Sequence, residues 1–194
     1  MAPNLRDKVI RAAVDYIADH GPDGLSFRRI ASDAGVSHQA PYHHFGDRDA
    51  IFAEIGLLGF RKFTAELSAP RRADEDADPA IRMLERYVTF ALRHKGYFRV
   101  MFRSDLCNMG DLPELQEAAD GSFGTLISLV SEVLGDSATV DDIRVMATTM
   151  WSVAHGLATL LIDGPLEHKI GTVRDRRELV RAVARQTLAG ISPK

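Results

Sequence analysis

The twenty residues from Ser26 to Phe45, SFRRIASDAGVSHQAPYHHF, restrict the fold of this chain more than any other segment. A short helix is expected to begin at Ser26 and to stop at Gly35, because glycine reaches the positive φ of many helix ends at low cost. A second short helix is expected to run to about His44, with Ser37 as its N-cap. Two short helices joined by such a turn form a helix-turn-helix, which places a recognition helix in the DNA major groove.

Apolar residues recur at helical spacing along the rest of the chain, and no strand-like alternation stands out. We therefore predict an all-α fold of about nine helices. A three-helix helix-turn-helix DNA-binding domain is expected over residues 1–50, and a helical ligand-binding and dimerisation domain over residues 51–194. After the helix-turn-helix, the predicted helices cover residues 48–67, 79–94, 97–103, 113–134, 140–162 and 173–188. Loops are expected at residues 68–79, at residues 107–112 and around Gly164, Pro165 and Gly171.

The overall charge gives no support for nucleic-acid binding. The 194 residues carry a net charge of −3, and residues 1–50 hold six Lys and Arg side chains against seven Asp and Glu. A basic patch is therefore absent at the level of counting. Four of the seven histidines, His20, His38, His43 and His44, also lie in this part of the chain. DNA binding here has to depend on the direction in which the positive groups point.

The metal-binding and redox residue types are sparse. Cys107 is the single cysteine, so no internal disulfide and no cysteine-based zinc site can form. His38, His43 and His44 lie close together, but no carboxylate or cysteine completes a metal-ligand spacing. We expect no metal and no cofactor. The first residues lack the profile of a signal peptide, and a cytoplasmic location is expected.

The segment from residue 145 to 162 is uncharged and approaches the roughly 20 residues that span a bilayer. It contains Thr, Ser and His side chains, and a helix buried within protein is favoured over a membrane span. Small residues, Ala154 and Gly156 among them, would allow another backbone to approach closely. We therefore predict a two-fold homodimer built from the helices at about residues 140–162 and 173–188.

The N-terminal 50 or so residues resemble the DNA-binding domain of the tetracycline-repressor (TetR) family of transcriptional regulators. The resemblance covers the leading amphipathic helix, YIADHGPDGLSFRRIA, GVS at the turn, and a Tyr-x-His-Phe ending before GDRDAIF. The segment MWSVAHGLATLLIDG further resembles the Trp-x-x-x-His-Gly segment in the regulatory domain of one subgroup of that family. The resemblance implies a homodimeric repressor that binds a palindromic operator in double-stranded DNA and is released by a small molecule.

Residues on both short helices are candidates for DNA contacts. Gln39 can present its amide to adenine, and Ala40 can approach a thymine methyl group. His38 and Tyr42 can donate to phosphates, and Ser26 can cap its helix and meet a phosphate. The resemblance adds Arg28, His44 and Arg48 at positions where the family contacts DNA, and it implies that Phe45 packs in the core. The complete predicted set is Ser26, Arg28, Ser37, His38, Gln39, Ala40, Tyr42, His43, His44 and Arg48.

Pro41 departs from the family pattern, in which an aliphatic residue is usual. If Ser37 caps the helix, Pro41 cannot donate the first intrahelical hydrogen bond back to residue 37. An irregular start of the recognition helix is therefore an open alternative to the regular one.

Aromatic and sulfur-containing side chains of the second domain are candidates for an effector pocket, since such pockets are mostly apolar with a few polar groups. The same side chains at helical spacing also suit a plain hydrophobic core. Trp151 and His155 are four residues apart and share a helical face, which could line a cavity or the dimer interface. The candidate set is Tyr87, Phe90, Met101, Phe102, Phe123, Trp151 and His155.

Two other classes of function remain open at this point. One is a regulator of the same fold that activates transcription, or that binds DNA without responding to a ligand. The other is an α-helical enzyme or scaffold, although the sequence has no Gly-rich phosphate loop, nucleophile elbow or paired-carboxylate signature.

Overall fold

The computed structural model describes residues 4–76, 78–106, 112–171 and 175–191. Within these residues the fold is all α, as predicted, with ten helices and no strand. The helices are α1 (Leu5–His20), α2 (Phe27–Ala34), α3 (Ala40–Phe45), α4 (Arg48–Leu67), α5 (Pro79–Arg93), α6 (Lys95–Met101), α7 (Pro113–Leu134), α8 (Val140–Ile162), α9 (Pro165–Ile170) and α10 (Arg176–Ile191). The additional helix is α9, which occupies a predicted loop.

The chain divides into two compact units. Unit 1 comprises residues 1–62 and 94–120, and unit 2 comprises residues 63–93 and 121–194. The predicted division after residue 50 concerns DNA binding and regulation, and it stays a prediction. The predicted loop around Cys107 lies, up to residue 111, outside the described residues, as does the predicted start of the last helix at residue 173.

In unit 1, α1 is the central helix and contacts α2, α3 and α6. Its inward face consists of Val9, Ala13 and Ile17, which are completely buried. The contact with α6 depends on Gly96, because a Cβ atom there would lie 2.1 Å from the carbonyl oxygen of Val14.

The end of α1 is stabilised by a side chain of α6. The Arg99 guanidinium donates to the carbonyl oxygens of Ile17 and Ala18 at 3.1 Å each. These carbonyls belong to the last turn of α1, where intrahelical donors run out. Residues 94–101 thus complete both the packing and the hydrogen bonding of α1.

The N-terminal half of the helix-turn-helix forms as predicted. The Ser26 hydroxyl accepts a hydrogen bond from the Arg29 N–H at 3.3 Å and caps α2. Gly35 ends α2 in the left-handed region, with φ 65° and ψ 38°. Both residues therefore have the local roles expected from their chemistry.

The prediction that Ser37 caps the recognition helix is wrong. Among the described residues, no side chain caps α3, and Gln39 occupies its N-cap position. Residues 37–40 form a turn in which the Ala40 N–H donates to the Ser37 carbonyl. Because Pro41 has no N–H to donate back to residue 37, the first bond of α3 runs from His43 to Gln39. The irregular start is the alternative that the structure adopts.

In unit 2, α5 packs against both α8 and α10, and α8 also contacts α10. A capping box of Thr139 and Asp142 fixes the start of α8. By length and composition, α8 is also the one described helix that could cross a membrane. Met146, Ala147 and Met150 are buried on its inner face.

The predicted loop between α4 and α5 is held by one buried arginine of α5. The Arg86 guanidinium forms two hydrogen bonds with the Glu75 carboxylate, at 2.8 and 2.7 Å. It also donates to the carbonyl oxygens at positions 66, 67, 69 and 70. Both side chains are at most 4% exposed. Arg86 therefore supplies hydrogen-bond donors to acceptors at the end of α4 and in the loop that follows it.

Candidate nucleic-acid interface and regulatory site

The short helix α3 divides its residues between a buried and an exposed face. Ala40, Pro41 and Phe45 are buried, whereas Tyr42, His43 and His44 are exposed. The exposed side chains carry one hydroxyl and two imidazole rings, and these groups can reach phosphates or base edges.

Two aromatic contacts fix the orientation of α3 in unit 1. The Tyr42 ring meets the edge of the Phe27 ring at a centroid distance of 4.4 Å, while 54% of the residue stays exposed. The Arg6 guanidinium lies 5.3 Å from the centroid of the Phe45 ring, and Arg6 also forms an ion pair with Glu54. The expectation that Phe45 packs in the core is confirmed.

The turn before α3 presents three further candidates to solvent. Ser37, His38 and Gln39 are all exposed. Ala40 is only 6% exposed, since it begins the buried face of α3. Its methyl group is therefore not available to a thymine, and Ala40 drops out of the interface.

The two consecutive arginines of α2 have different surroundings. Arg29 forms an ion pair with Asp33 at 2.8 Å, and its guanidinium lies 5.5 Å from the centroid of the Tyr16 ring. Arg28 is exposed and has no ion-pair partner among the residues that the structure describes. Arg28 can therefore neutralise a phosphate without giving up an internal partner.

The start of α4 differs from the expected phosphate site. The Asp47 carboxylate accepts a hydrogen bond from the Ala50 N–H at 2.8 Å. The helix N-terminus is thus already capped by a negative group. Arg48 is exposed and stacks on the Phe52 ring at 5.4 Å. The guanidinium, rather than the helix end, remains available to a phosphate.

In unit 2, three candidate effector residues form a hydrogen-bonded group. The Trp151 Nε1–H donates to the Tyr87 hydroxyl at 3.3 Å, and the same hydroxyl bonds to His155 Nδ1 at 2.9 Å. Burial raises the pKa of Tyr87 and lowers the pKa of His155, so both side chains are neutral at pH 7. We therefore assign the Tyr87 O–H as donor to an unprotonated Nδ1. The prediction that Trp151 and His155 share one environment is confirmed.

Aromatic rings surround this group on two sides. Phe123 and Trp151 pack at a centroid distance of 5.6 Å and are 40% and 39% exposed. Phe63 lies 5.0 Å from both Tyr87 and Phe90. Phe63 is not among the predicted residues, although its helical spacing from Phe60 marks it as inward-facing.

The remaining two candidates lie in unit 1. Met101 is 2% exposed and packs against Gly59. Phe102 packs on Phe60 and Phe98, each at 5.5 Å. These contacts account for both side chains as parts of the core of unit 1. Within the described residues, no cluster of three or more His, Cys, Asp or Glu side chains could hold a metal ion.

Comparison with known proteins agrees with this architecture. Residues 9–55 match the family model described as bacterial regulatory proteins, tetR family, and residues 80–187 match the model of the tetracyclin repressor-like C-terminal domain. The nucleoid occlusion factor SlmA of Idiomarina loihiensis is 26% identical over 179 residues, covering 85% of this chain and 89% of that protein. The HTH-type transcriptional repressor AcnR of Corynebacterium efficiens is 37% identical over 52 residues, covering 27% of this chain and 28% of that protein.

Solved structures extend the similarity to the full length of the chain. A protein of unknown function from Rhodococcus sp. RHA1 is 30% identical with a TM-score of 0.76, covering 98% of this chain and 97% of that one. The tetR family regulator PfmR of Thermus thermophilus shares the fold, with a TM-score of 0.66 at 19% identity and full coverage of both chains. The chain therefore belongs to the tetR family of bacterial regulatory proteins, and it is a DNA-binding transcriptional regulator rather than an enzyme.

Proposed function

We propose that this chain is a cytoplasmic, ligand-responsive repressor that binds a palindromic operator as a homodimer and is released by a small molecule. The observation that carries the proposal is the division of the helix-turn-helix into two faces. Ala40 and Phe45 anchor α3 in the core, while Gln39, Tyr42 and His43 are exposed together. Exposed amide, hydroxyl and imidazole groups on one short element suit the reading of a DNA groove.

In this proposal, different side chains contact the bases and the phosphates. Gln39 reads an adenine, and Tyr42 and His43 reach the edges or backbone of the same groove. Arg28 and Arg48 neutralise phosphates on either side. The proposed interface is completed by Ser26, Ser37, His38 and His44.

Selection of bound fragments from random duplex DNA gives the operator, and variants then test the interface. We expect Gln39→Ala to weaken operator binding about tenfold and to relax specificity at one base pair. Arg48→Ala should weaken binding to all duplexes and reduce the salt slope by about one. Tyr42→Phe keeps the contact of the ring with Phe27 while it removes the hydroxyl, and it should lower affinity with an unchanged melting temperature.

Arg61→Ala is the matched control, since Arg61 is an exposed arginine of α4 that pairs with Glu114. Its operator affinity should equal that of the wild type. If all three interface variants bind the operator as tightly as the wild type, the proposed interface is wrong.

The proposed dimer interface is the outer face of α8 together with α10. Val145 and Leu160 are 65% and 42% exposed, and Ser152 and Gly156 lie exposed between them at helical spacing. On α10, Ala182, Gln186 and Ala189 form a similar exposed row of short or polar side chains. Two such faces can pack closely across a two-fold axis.

Gly156→Arg is expected to convert the dimer into a monomer. A Cβ atom at Gly156 meets nothing within 4 Å, so the substitution leaves the protomer intact and places a charged side chain in the interface. Sedimentation velocity measures the result. Gly121→Arg, at another exposed helical glycine with open space, should remain a dimer. Ala154 is unsuitable for this test, because it is 3% exposed within the protomer.

The group of Tyr87, Trp151, His155 and the neighbouring Phe123 and Phe90 is the proposed effector site. It combines apolar rings with two neutral polar side chains, and it supports placement in the subgroup with a Trp-x-x-x-His-Gly segment. The effector has to bind the DNA-incompetent arrangement more tightly, and about 1.4 kcal/mol of differential affinity changes occupancy tenfold. Reporter output with and without candidate effectors separates this repressor from an activator or a ligand-independent regulator.

A further inference from the structure

Unit 2 contains a second candidate ligand site, away from the aromatic effector residues. It is a cavity of about 590 Å³ lined by α5, the start of α10, Glu66 near the end of α4 and the loop that follows it. None of the residues predicted for the effector lines it. The volume lies within the range of small-molecule sites in proteins.

The charges on the cavity walls do not cancel. Five arginines and four carboxylates line the cavity, which leaves one positive charge in excess. Every carboxylate already has an arginine partner. The pairs are Glu66 with Arg72, Glu75 with Arg86, Glu85 with Arg177, and Asp74 with Arg177.

The pairs involve three of the five arginines, because Arg177 contacts two carboxylates. Of the other two, Arg176 has a contact of its own, and Arg93 carries the charge that lacks a counterpart. It lies in the last turn of α5 and is exposed. It makes no hydrogen bond and no ion pair with any residue that the structure describes, and its charge acts on Glu66 only at longer range. A guanidinium with free donors at the edge of a cavity is a ready partner for a carboxylate.

The rest of the wall is uncharged and consists of Val88, Thr89, Leu92 and Val180. Val88 and Val180 are 1% and 3% exposed, and Leu92 is half-buried beside Thr89. Leu92 and Thr89, together with the methylene groups of the lining arginines, therefore offer most of the surface to hydrocarbon. A ligand that fills the cavity therefore needs one anionic group and an apolar body.

We propose that this cavity binds a small monocarboxylate with an apolar chain, with Arg93 on the carboxylate and Thr89 and Leu92 along the chain. One negative charge balances the cavity, whereas a dianion would be in excess. The inference stands independently of the proposed repressor function, because it concerns binding to unit 2 and not to DNA.

Calorimetric titration of the full-length protein with octanoate tests the site. We expect saturable binding of one octanoate per chain, with Kd below about 1 mM. Arg93→Gln should weaken binding about tenfold, because it removes a charge-assisted hydrogen bond. Thr89→Trp should abolish binding by filling the cavity. Arg144→Gln, at an exposed arginine of the same unit, should bind octanoate like the wild type.

Two further probes test the charge rule. Octanamide, which keeps the chain but lacks the charge, should not saturate. Hexyl phosphate, a dianion with a similar chain, should bind more weakly than octanoate. The proposal is overturned if octanoate does not bind, if Arg93→Gln binds it as tightly as the wild type, or if either probe binds better than octanoate. None of these measurements uses DNA, so they test carboxylate binding even if the proposed repressor function is wrong.

Discussion

Replacing Arg86 with methionine is expected to lower the free energy of unfolding by about 3 to 5 kcal/mol. The substitution leaves the Glu75 carboxylate, only 3% exposed, without its two hydrogen bonds from the guanidinium. It also removes the donor to four carbonyl oxygens at the end of α4 and in the following loop. Urea unfolding at pH 7, followed by circular dichroism, measures the loss.

Arg144→Met is the matched control for this prediction. Arg144 pairs with Asp141 at 3.3 Å on the surface, and such a pair contributes less than about 1 kcal/mol. An equal loss in both variants would show that burial of the Arg86 pair contributes nothing.

The loss of folding stability at acid pH tests the Arg86–Glu75 pair independently. The hydrogen bonds from Arg86 lower the pKa of Glu75 to about 2, from an ordinary value of 4.5. A carboxyl group with a lowered folded-state pKa stabilises the fold fully above its unfolded pKa, and this contribution disappears as the pH falls toward the folded pKa. The wild type should therefore lose stability between about pH 4.5 and 2, with a smaller Glu75-linked loss in the Arg86→Met variant.

Gly96→Ala is expected to destabilise unit 1 by about 3 kcal/mol or more, at the upper end of the range for overpacked cores. The new Cβ would lie 2.1 Å from the Val14 carbonyl oxygen and 2.9 Å from the Val14 Cγ1. The obstacle is backbone of α1, which cannot rotate away as a side chain could. Thermal and urea unfolding should both show the loss, and operator affinity should fall because α1 supports α2 and α3.

Gly124→Ala serves as the opposite control. This glycine lies inside α7, and an added Cβ meets nothing within 4 Å. Alanine there should raise the free energy of unfolding by about 0.5 to 1 kcal/mol, because glycine is a poor helix former. Equal effects at the two positions would contradict the packing described for Gly96.

Much of the fold could be predicted because local chemistry decided it. The bounds of α2 follow from Ser26 and Gly35, and α7 and α8 have the predicted limits. The predicted start of α3 is wrong because the missing N–H of Pro41 outweighs the capping tendency of Ser37. The helix α9 was missed because Gly164 and Pro165 resemble a loop, although proline also suits the first position of a helix.

The sites could be predicted only in part, because exposure and pairing depend on residues far apart in the chain. Nothing in the local sequence shows that Ala40 is buried. Arg86 pairs with a residue 11 positions away, and the Glu85 carboxylate receives Arg177 from 92 positions away. Charge counting could not show which arginine lacks a counterpart, and the proposed carboxylate site could therefore not be predicted from the sequence.

The contact of α6 with α1 has a consequence for synthesis on the ribosome. When translation has produced only the helix-turn-helix and α4, the α1 surface that receives Gly96 and Arg99 is still bare. Unit 1, which contains the helix-turn-helix, cannot finish folding until residues 94–101 have left the ribosome and packed against α1. A gene fragment that stops at residue 62 would therefore encode a unit 1 that lacks part of its packing and of its hydrogen bonds.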